Sequence, residues 1–364
     1  MPRPRKIGRG PHVSLLRAFG VSARIAAAVA VLLLVATSAP AYALEWRGTD
    51  LAAQGIHKGA GLPLFGGYID GLHSSFATQE LSKTTPPWTL FAGSYNQYYY
   101  ADTLRDENGN NVPGRYRLSQ YLLVERLILL TPLRTDKVQH FLEAIPTFVA
   151  FDYSIGSVAR STAALGDFAL GSGFNFPEIY DDGALKIEGL VDVDVFLPTG
   201  HYHPGGLRNV SFDTYSYLWS NDLIFHLRSI GNGIFFEPSL YFAGSSENDR
   251  FKNPLTREIT SYSLGPTMQA LFKLLYHLNP EKTLNAGIEG FFDFQYRDDR
   301  MGGSRIHDSA EQGRMLGGIV SGVFAGFLID VSVVREFDAK NRPEGTRFSA
   351  IVYRVFGPPA AASR

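Results

Sequence analysis

The chain has 364 residues, 45% of them hydrophobic and 13% aromatic, with 37 Gly and no Cys. That is ample to bury a core, and the absence of cysteine excludes disulfides and thiol chemistry. The formal charge of −1 conceals an uneven distribution, because the first 43 residues hold six of the 34 basic residues and none of the 35 acidic ones.

That leading segment reads as a cleaved signal peptide over residues 1–43. Arg3, Arg5, Lys6, Arg9, Arg17 and Arg24 precede the apolar run Ile25 to Ala36, and Ala41-Tyr42-Ala43 supplies the small-x-small cleavage pattern. A membrane anchor fits less well, since the run is far short of the ~20 residues a spanning helix needs. The expected mature chain keeps 28 basic against 35 acidic residues, a formal charge of −7. That balance argues against a nucleic-acid partner.

Residues 44–87 have no steady period. Gly55, Gly59, Gly61, Gly66, Gly67 and Gly71 interrupt short apolar pieces, and Pro86-Pro87 closes the segment. It reads as an irregular N-terminal arm or a partial plug.

From Trp88 the chain becomes a train of alternating segments separated by turn residues. Strands are predicted near Trp88 to Tyr100, Tyr116 to Leu129, Val138 to Asp152, Asp167 to Phe176, Leu185 to Leu197 and Val210 to Phe225. Six more follow near Ile234 to Ala243, Ile259 to His277, Leu284 to Arg297, Arg314 to Phe324, Phe327 to Phe337 and Arg347 to Phe356. Long connections alternate with short ones: Ala101 to Arg115, Tyr153 to Gly166 and Asp338 to Thr346 are of the first kind, whereas Leu278 to Lys282 and Ala325-Gly326 are of the second. Long loops on one end and short turns on the other mark an outer-membrane barrel. The predicted fold is all-β: a transmembrane antiparallel up-and-down barrel of about twelve strands over 88–356, with a short tail over 357–364.

Strand parity then assigns the two faces. In Leu185 to Leu197 the odd positions Leu185, Ile187, Gly189, Val191, Val193, Val195 and Leu197 are non-polar, while Glu188, Asp192, Asp194 and Phe196 interleave with them. In Leu284 to Arg297 the same rule sets Glu289, Phe291, Asp293, Gln295 and Arg297 opposite Ile288, Phe292, Phe294 and Tyr296. A basic residue facing lipid at mid-depth costs on the order of 2–4 kcal/mol and an acidic one is costly too, so the polar sets are assigned to the lumen, with Asp167 and Asn175 on a third strand. Glu188, Asp192, Asp194, Phe196, Glu289, Phe291, Asp293, Gln295 and Arg297 are thus the expected lumen wall and solute path. Such a lining sets a pore's field and hydration; alternatively, the same residues simply knit a filled barrel together.

The segments Pro86-Pro87-Trp88, Asn96, Tyr99-Tyr100-Ala101-Asp102, Leu104, Asp106, Asn108-Gly109, Gly166-Asp167-Phe168, Phe196 to Tyr202, and Tyr296 with Asp298-Asp299 occur in an order that resembles the family named for a meta-pathway of phenol degradation, to which sphingosine-induced outer-membrane proteins are related. The resemblance runs from about Pro86 to Phe356 and implies an outer-membrane barrel for passive uptake of small hydrophobic or aromatic compounds, in a Gram-negative bacterium. The expected partners are outer-membrane lipid, such a solute, and the barrel-assembly machinery, which would read the face Phe348, Ala350, Val352, Arg354 and Phe356. Arg354 and the tail beyond Phe356 depart from the usual aromatic-ended strand.

No cofactor, metal or catalytic residue is expected. His201-Tyr202-His203 lacks a third ligand nearby, and Asp181-Asp182-Gly183 and Asp106-Glu107-Asn108-Gly109 are adequately explained as turns. His140 with Glu143, or His226 with Asp222, would be the parts of a hydrolase, but neither pair comes with an assignable serine nucleophile. A non-transporting envelope or lipid-binding barrel is the alternative function, and a hydrolase ranks behind both.

Overall fold

A computed structural model describes residues 85–205, 209–253 and 256–357, apart from the side chain of Val158. The expected signal peptide, nearly all of the expected arm and the tail after Gly357 lie outside these residues. The first half of the described chain forms β1 (Leu90–Leu104), β2 (Tyr116–Arg134), β3 (Gln139–Ile145), β4 (Thr147–Ile155), β5 (Val158–Leu165), β6 (Phe168–Asp181), β7 (Leu185–Leu197), β8 (Ser216–Leu227) and β9 (Ile234–Ser245). The second half forms β10 (Asn248–Lys252), β11 (Ile259–Ser263), β12 (Thr267–His277), β13 (Leu284–Gln295), β14 (Arg300–Met301), β15 (Ser304–Arg305), β16 (Gln312–Phe324), β17 (Phe327–Lys340) and β18 (Pro343–Phe356).

Fourteen of these strands make one sheet, which closes because β1 pairs antiparallel with both β2 and β18. Two staves of the barrel are each built from two strands. β3 and β4 pair with β2 in one continuous register, Leu127 with Ala144 and Val124 with Thr147. Only Pro146, which has no N–H to donate, separates them. β5 and β6 form the next stave, where one extra residue enters between Leu165 and Ala169 relative to Phe148 and Ile145. That is a β-bulge at Gly166-Asp167. Counted as staves, the described residues form a closed barrel of twelve strands, as the alternation predicted.

The differences in detail lie at the loop end. Tyr153 to Gly166, read as a loop, is mostly the β4–β5 hairpin turning at Gly156. Asp338 to Thr346 is likewise taken up by the ends of β17 and β18 around Asn341. The predicted strand Ile259 to His277 divides into β11 and β12, and β11 joins β10, β14 and β15 in a separate small sheet. β8 begins at Ser216 rather than Val210, and β13 ends at Gln295, short of Arg297.

The outer surface is apolar along the staves. Val193, Val195, Leu170, Phe174, Leu316, Val320, Val331, Val333 and Phe348 are all exposed. A soluble monomer does not present a continuous belt of this kind, whereas a barrel in lipid requires one. Tyr215, Tyr217 and Trp219 are exposed near the loop end of β8, as expected for an interfacial girdle. Arg354 faces outward beside the turn end of β18, with its guanidinium 4.7 Å from the Phe327 ring centroid and 5.3 Å from that of Phe356.

Candidate functional site in the barrel lumen

The period-two rule carries the site. β7 turns Lys186, Glu188, Asp192, Asp194 and Phe196 inward, where all are buried, and leaves Val193 and Val195 exposed outside. β13 likewise buries Asn285, Glu289, Phe291, Asp293 and Gln295. Arg297 is the exception: it lies past the end of β13 and is exposed, so it does not join this wall. Its backbone carbonyl instead accepts a hydrogen bond from Gln295 Nε2 at 2.7 Å, and the same amide reaches Asp299 Oδ1 at 2.6 Å.

Four groups of inward charges are ion-paired. Toward the short-turn end, Glu188 meets Lys186 and, at 2.9 Å, His226 Nε2. Midway along β7, Arg126 of β2 donates to Glu143 Oε2 at 2.5 Å and to Asp192 Oδ2 at 3.0 Å. Glu289 lies 3.4 Å from Arg347 Nη2 and 4.0 Å from Lys273 Nζ. Near the loop end, Arg342 contacts Asp293 at 2.6 Å and Glu336 at 3.0 Å, and Tyr99 donates to Glu336 Oε2 at 2.6 Å. Taken out of water, each of these ions depends on its partners, because an isolated buried charge is costly.

A second part of the inner wall is apolar. Phe91, Tyr95 and Tyr99 of β1, Leu118, Leu122 and Ile128 of β2, and Phe141 and Phe151 on the third stave are buried on the inward parity. Phe196 and Phe291 join the buried set, and the Arg347 guanidinium sits 5.3 Å from the Phe291 ring centroid.

Asp167 and Asn175 are both buried. Asn175 Nδ2 donates to Gln139 Oε1 at 3.3 Å. Asp167 sits in the bulge, where its Oδ1 accepts the Gly200 N–H at 2.9 Å. Burial pushes its carboxyl up to about 6, against the opposing hydrogen bonds from Ser211 and Gly200.

Sequence reasoning missed Arg126, Glu143, Lys273, Glu336, Arg342 and Arg347 as members of this wall. Arg126 is hidden because β2 is apolar on both faces, with Leu123, Leu127 and Leu129 outside and Leu122, Ile128 and Leu130 inside. Arg347 was within reach of parity, since Phe348, Ala350 and Val352 already defined the outer face of β18.

The suggested hydrolase pairs do not assemble. His140 lies on the outer face, with its ring nitrogens 2.9 Å from Thr131 Oγ1 and from Ser172 Oγ, while Glu143 points inward. His226 is bonded to Glu188, and Asp222 to the Tyr241 hydroxyl. The two acidic turns cap themselves: Asp182 Oδ1 accepts from the Ala184 and Leu185 amides, and Asp106 Oδ1 from those of Asn108 and Asn110.

Among solved structures, the COG4313 outer membrane channel from Pseudomonas putida F1 superposes with a TM-score of 0.63 at 17% identity, covering 74% of this chain and 96% of that one. The translocator domain of the autotransporter NalP from Neisseria meningitidis gives 0.39 at 10% identity over 79% and 94%, and a Pseudomonas aeruginosa FadL homologue gives 0.32 at 10% over 73% and 88%. No curated protein matches. The first likeness bears on the fold, and the other two are too distant to carry an argument. A profile of the family described as "Putative MetA-pathway of phenol degradation" matches residues 101–351. The chain belongs to that family, and is an outer-membrane β-barrel.

Proposed function

We propose that this barrel lets small hydrophobic or aromatic compounds cross the outer membrane passively, in support of phenol-type catabolism. The observation that carries the reading is the division of the inner wall. A largely aromatic and aliphatic part on β1 to β4, crossed by the Arg126–Glu143 pair, adjoins a more ionic part on β7, β13, β17 and β18, with Phe196 and Phe291 among the ionic groups. Binding sites for small apolar solutes combine apolar lining with a few fixed polar groups. Buried carboxylates outnumber buried bases among the described residues, which favours neutral or cationic solutes over anions. Glu188, Asp192, Asp194, Glu289, Asp293 and Gln295 set that field, and Phe196 and Phe291 offer ring faces. Delivery would begin with the signal peptide and end with the assembly machinery reading the outward face of β18, where Arg354 occupies the rim.

A non-transporting envelope barrel is the second reading, favoured by the burial of the inward side chains and the ion pairs among them. Proteoliposome flux separates the two. A phenol and a sugar of similar size are compared with empty liposomes as baseline, because phenols cross bare lipid unaided. Phenol flux above baseline, changed by Phe291→Ala or Phe196→Ala, is the expected result. A correctly folded barrel with no flux for any solute would move the assignment to envelope structure.

A further inference from the structure

We infer that Glu143, Asp192 and Asp194 form a buried divalent-cation site in the inner wall, matched to Ca²⁺. Three neighbouring strands bring the site together. In register, Glu143 of β3 lies opposite Gly171 of β6, and Gly171 lies opposite Asp194 of β7. The residue between the two carboxylates therefore has no side chain. A Cβ at Gly171 would fall 1.9 Å from Asp194 Oδ1 and 2.6 Å from Glu143 Oε1, so the carboxylates converge in the space that the glycine leaves.

One oxygen from each of the three acids lies within 4.8 Å of the others. Arg126 occupies Glu143 Oε2 and Asp192 Oδ2. It leaves Glu143 Oε1 and both oxygens of Asp194 buried without a hydrogen-bond donor, and Asp194 is 0% exposed. A buried carboxylate whose side-chain neighbour is another carboxyl has no donor when both are ionised, and its charge remains to be offset. Three carboxylates against one guanidinium leave a formal charge of −2, which a single divalent cation neutralises.

The donor set is all oxygen, which selects hard cations. Ca²⁺ takes oxygens at about 2.3–2.6 Å, so oxygens on opposite sides of its sphere stand ~5 Å apart. Mg²⁺, at about 2.0–2.1 Å, spans only ~4 Å and resists losing its waters. Separations within 4.8 Å fit inside the Ca²⁺ sphere, and a buried site that requires an ion to shed its waters disfavours Mg²⁺. Such an ion would tie β3 and β7 together across β6 and reduce the negative field midway along the lumen. The inference is independent of whether any solute crosses the barrel.

The test uses the purified, folded barrel in detergent, stripped with EDTA and dialysed against micromolar CaCl₂ with excess MgCl₂. Bound metal is measured by mass spectrometry, and folding is checked by heat-modifiable gel mobility. About one Ca²⁺ per wild-type chain is expected, with a loss of most of it in the near-isosteric Asp194→Asn and in Glu143→Gln. Calcium held at surface acids or residual lipopolysaccharide would survive both substitutions, so a folded Asp194→Asn barrel that keeps its calcium overturns the inference. Wild-type melting is the second measurement and needs no variant: Ca²⁺ should raise the midpoint over EGTA, and Mg²⁺ should not. A wild-type barrel that retains no calcium and melts identically in Ca²⁺ and EGTA also overturns it, and would point to a proton shared between Glu143 and Asp194.

Discussion

Arg126 and Asp192 lie 3.0 Å apart with both side chains wholly removed from solvent, and the same guanidinium holds Glu143 at 2.5 Å. β2, β3 and β7 are thereby cross-linked inside the barrel by a group that no hydrophobic pattern reveals. Breaking a buried pair by deleting one partner costs about 3–5 kcal/mol, mostly because the remaining charge is stranded. Arg126→Met should lose that much in urea unfolding from lipid vesicles. The double variant Arg126→Met, Asp192→Asn should lose less than Arg126→Met alone, and a larger loss would mean that the pair is not the source of the effect.

Tyr99 makes a smaller contribution of the same kind. Its hydroxyl donates to Glu336 Oε2 at 2.6 Å, where Glu336 also faces Arg342. Tyr99→Phe keeps the ring and removes one hydrogen bond to a charged acceptor, at a cost of about 1.5–3 kcal/mol. The same unfolding assay reads it, and an unchanged midpoint would show that Arg342 and the Gly345 amide satisfy Glu336 without it.

The parts of this molecule that were legible in the sequence are those where lipid and lumen impose opposite chemistry on alternate residues. β7 and β13 meet that condition, so their inward and outward sets could be assigned before any coordinates. On β2 the lumen wall is itself apolar, the contrast between faces vanishes, and Arg126 looks like an isolated charge in a greasy strand. β5 reads Val-Ala-Arg-Ser-Thr-Ala-Ala-Leu, too rich in small side chains to show a face, so its hairpin with β4 passed for a loop. Asp338 to Thr346 has the length of a loop, yet Arg342 and Glu344 within it are buried and partnered within the barrel's loop end. Pairing across strands far apart in sequence decides such cases, and a one-dimensional pattern does not contain it.

Asp167 makes the rim sensitive to acid in an unusual sense. Burial holds its carboxyl at about 6, above the 3.8 of an ordinary aspartate, so the folded state binds the proton more tightly than the unfolded state. The contribution is therefore fully present below the unfolded value and is lost as pH rises through the folded one. A shift of this size corresponds to about 3 kcal/mol at most. Hydrogen exchange at the Gly200 amide, which donates to Asp167 Oδ1, should slow as pH falls from about 7 to about 4 after correction for intrinsic rates. Asp167→Asn should abolish that dependence while keeping the bond, and a pH dependence that survives the substitution would assign the effect to another group.

The lipid face allows a position-dependent test. Val331 is 52% exposed and pairs with Val320 and Ala350 inside the apolar stretch of β17, while Phe327 begins the strand beside Arg354. An arginine at mid-depth faces hydrocarbon and costs about 2–4 kcal/mol, whereas one near the interface reaches headgroups and costs about 0–1 kcal/mol. Val331→Arg should therefore destabilise the barrel in vesicles by several times as much as Phe327→Arg, after allowing for the ring contact with Arg354 that the second substitution removes. Arg354 is the natural control, since the chain already tolerates a guanidinium at that depth. Equal losses at the two positions would mean that Val331 does not face lipid, and would require this face of β17 to be covered by protein.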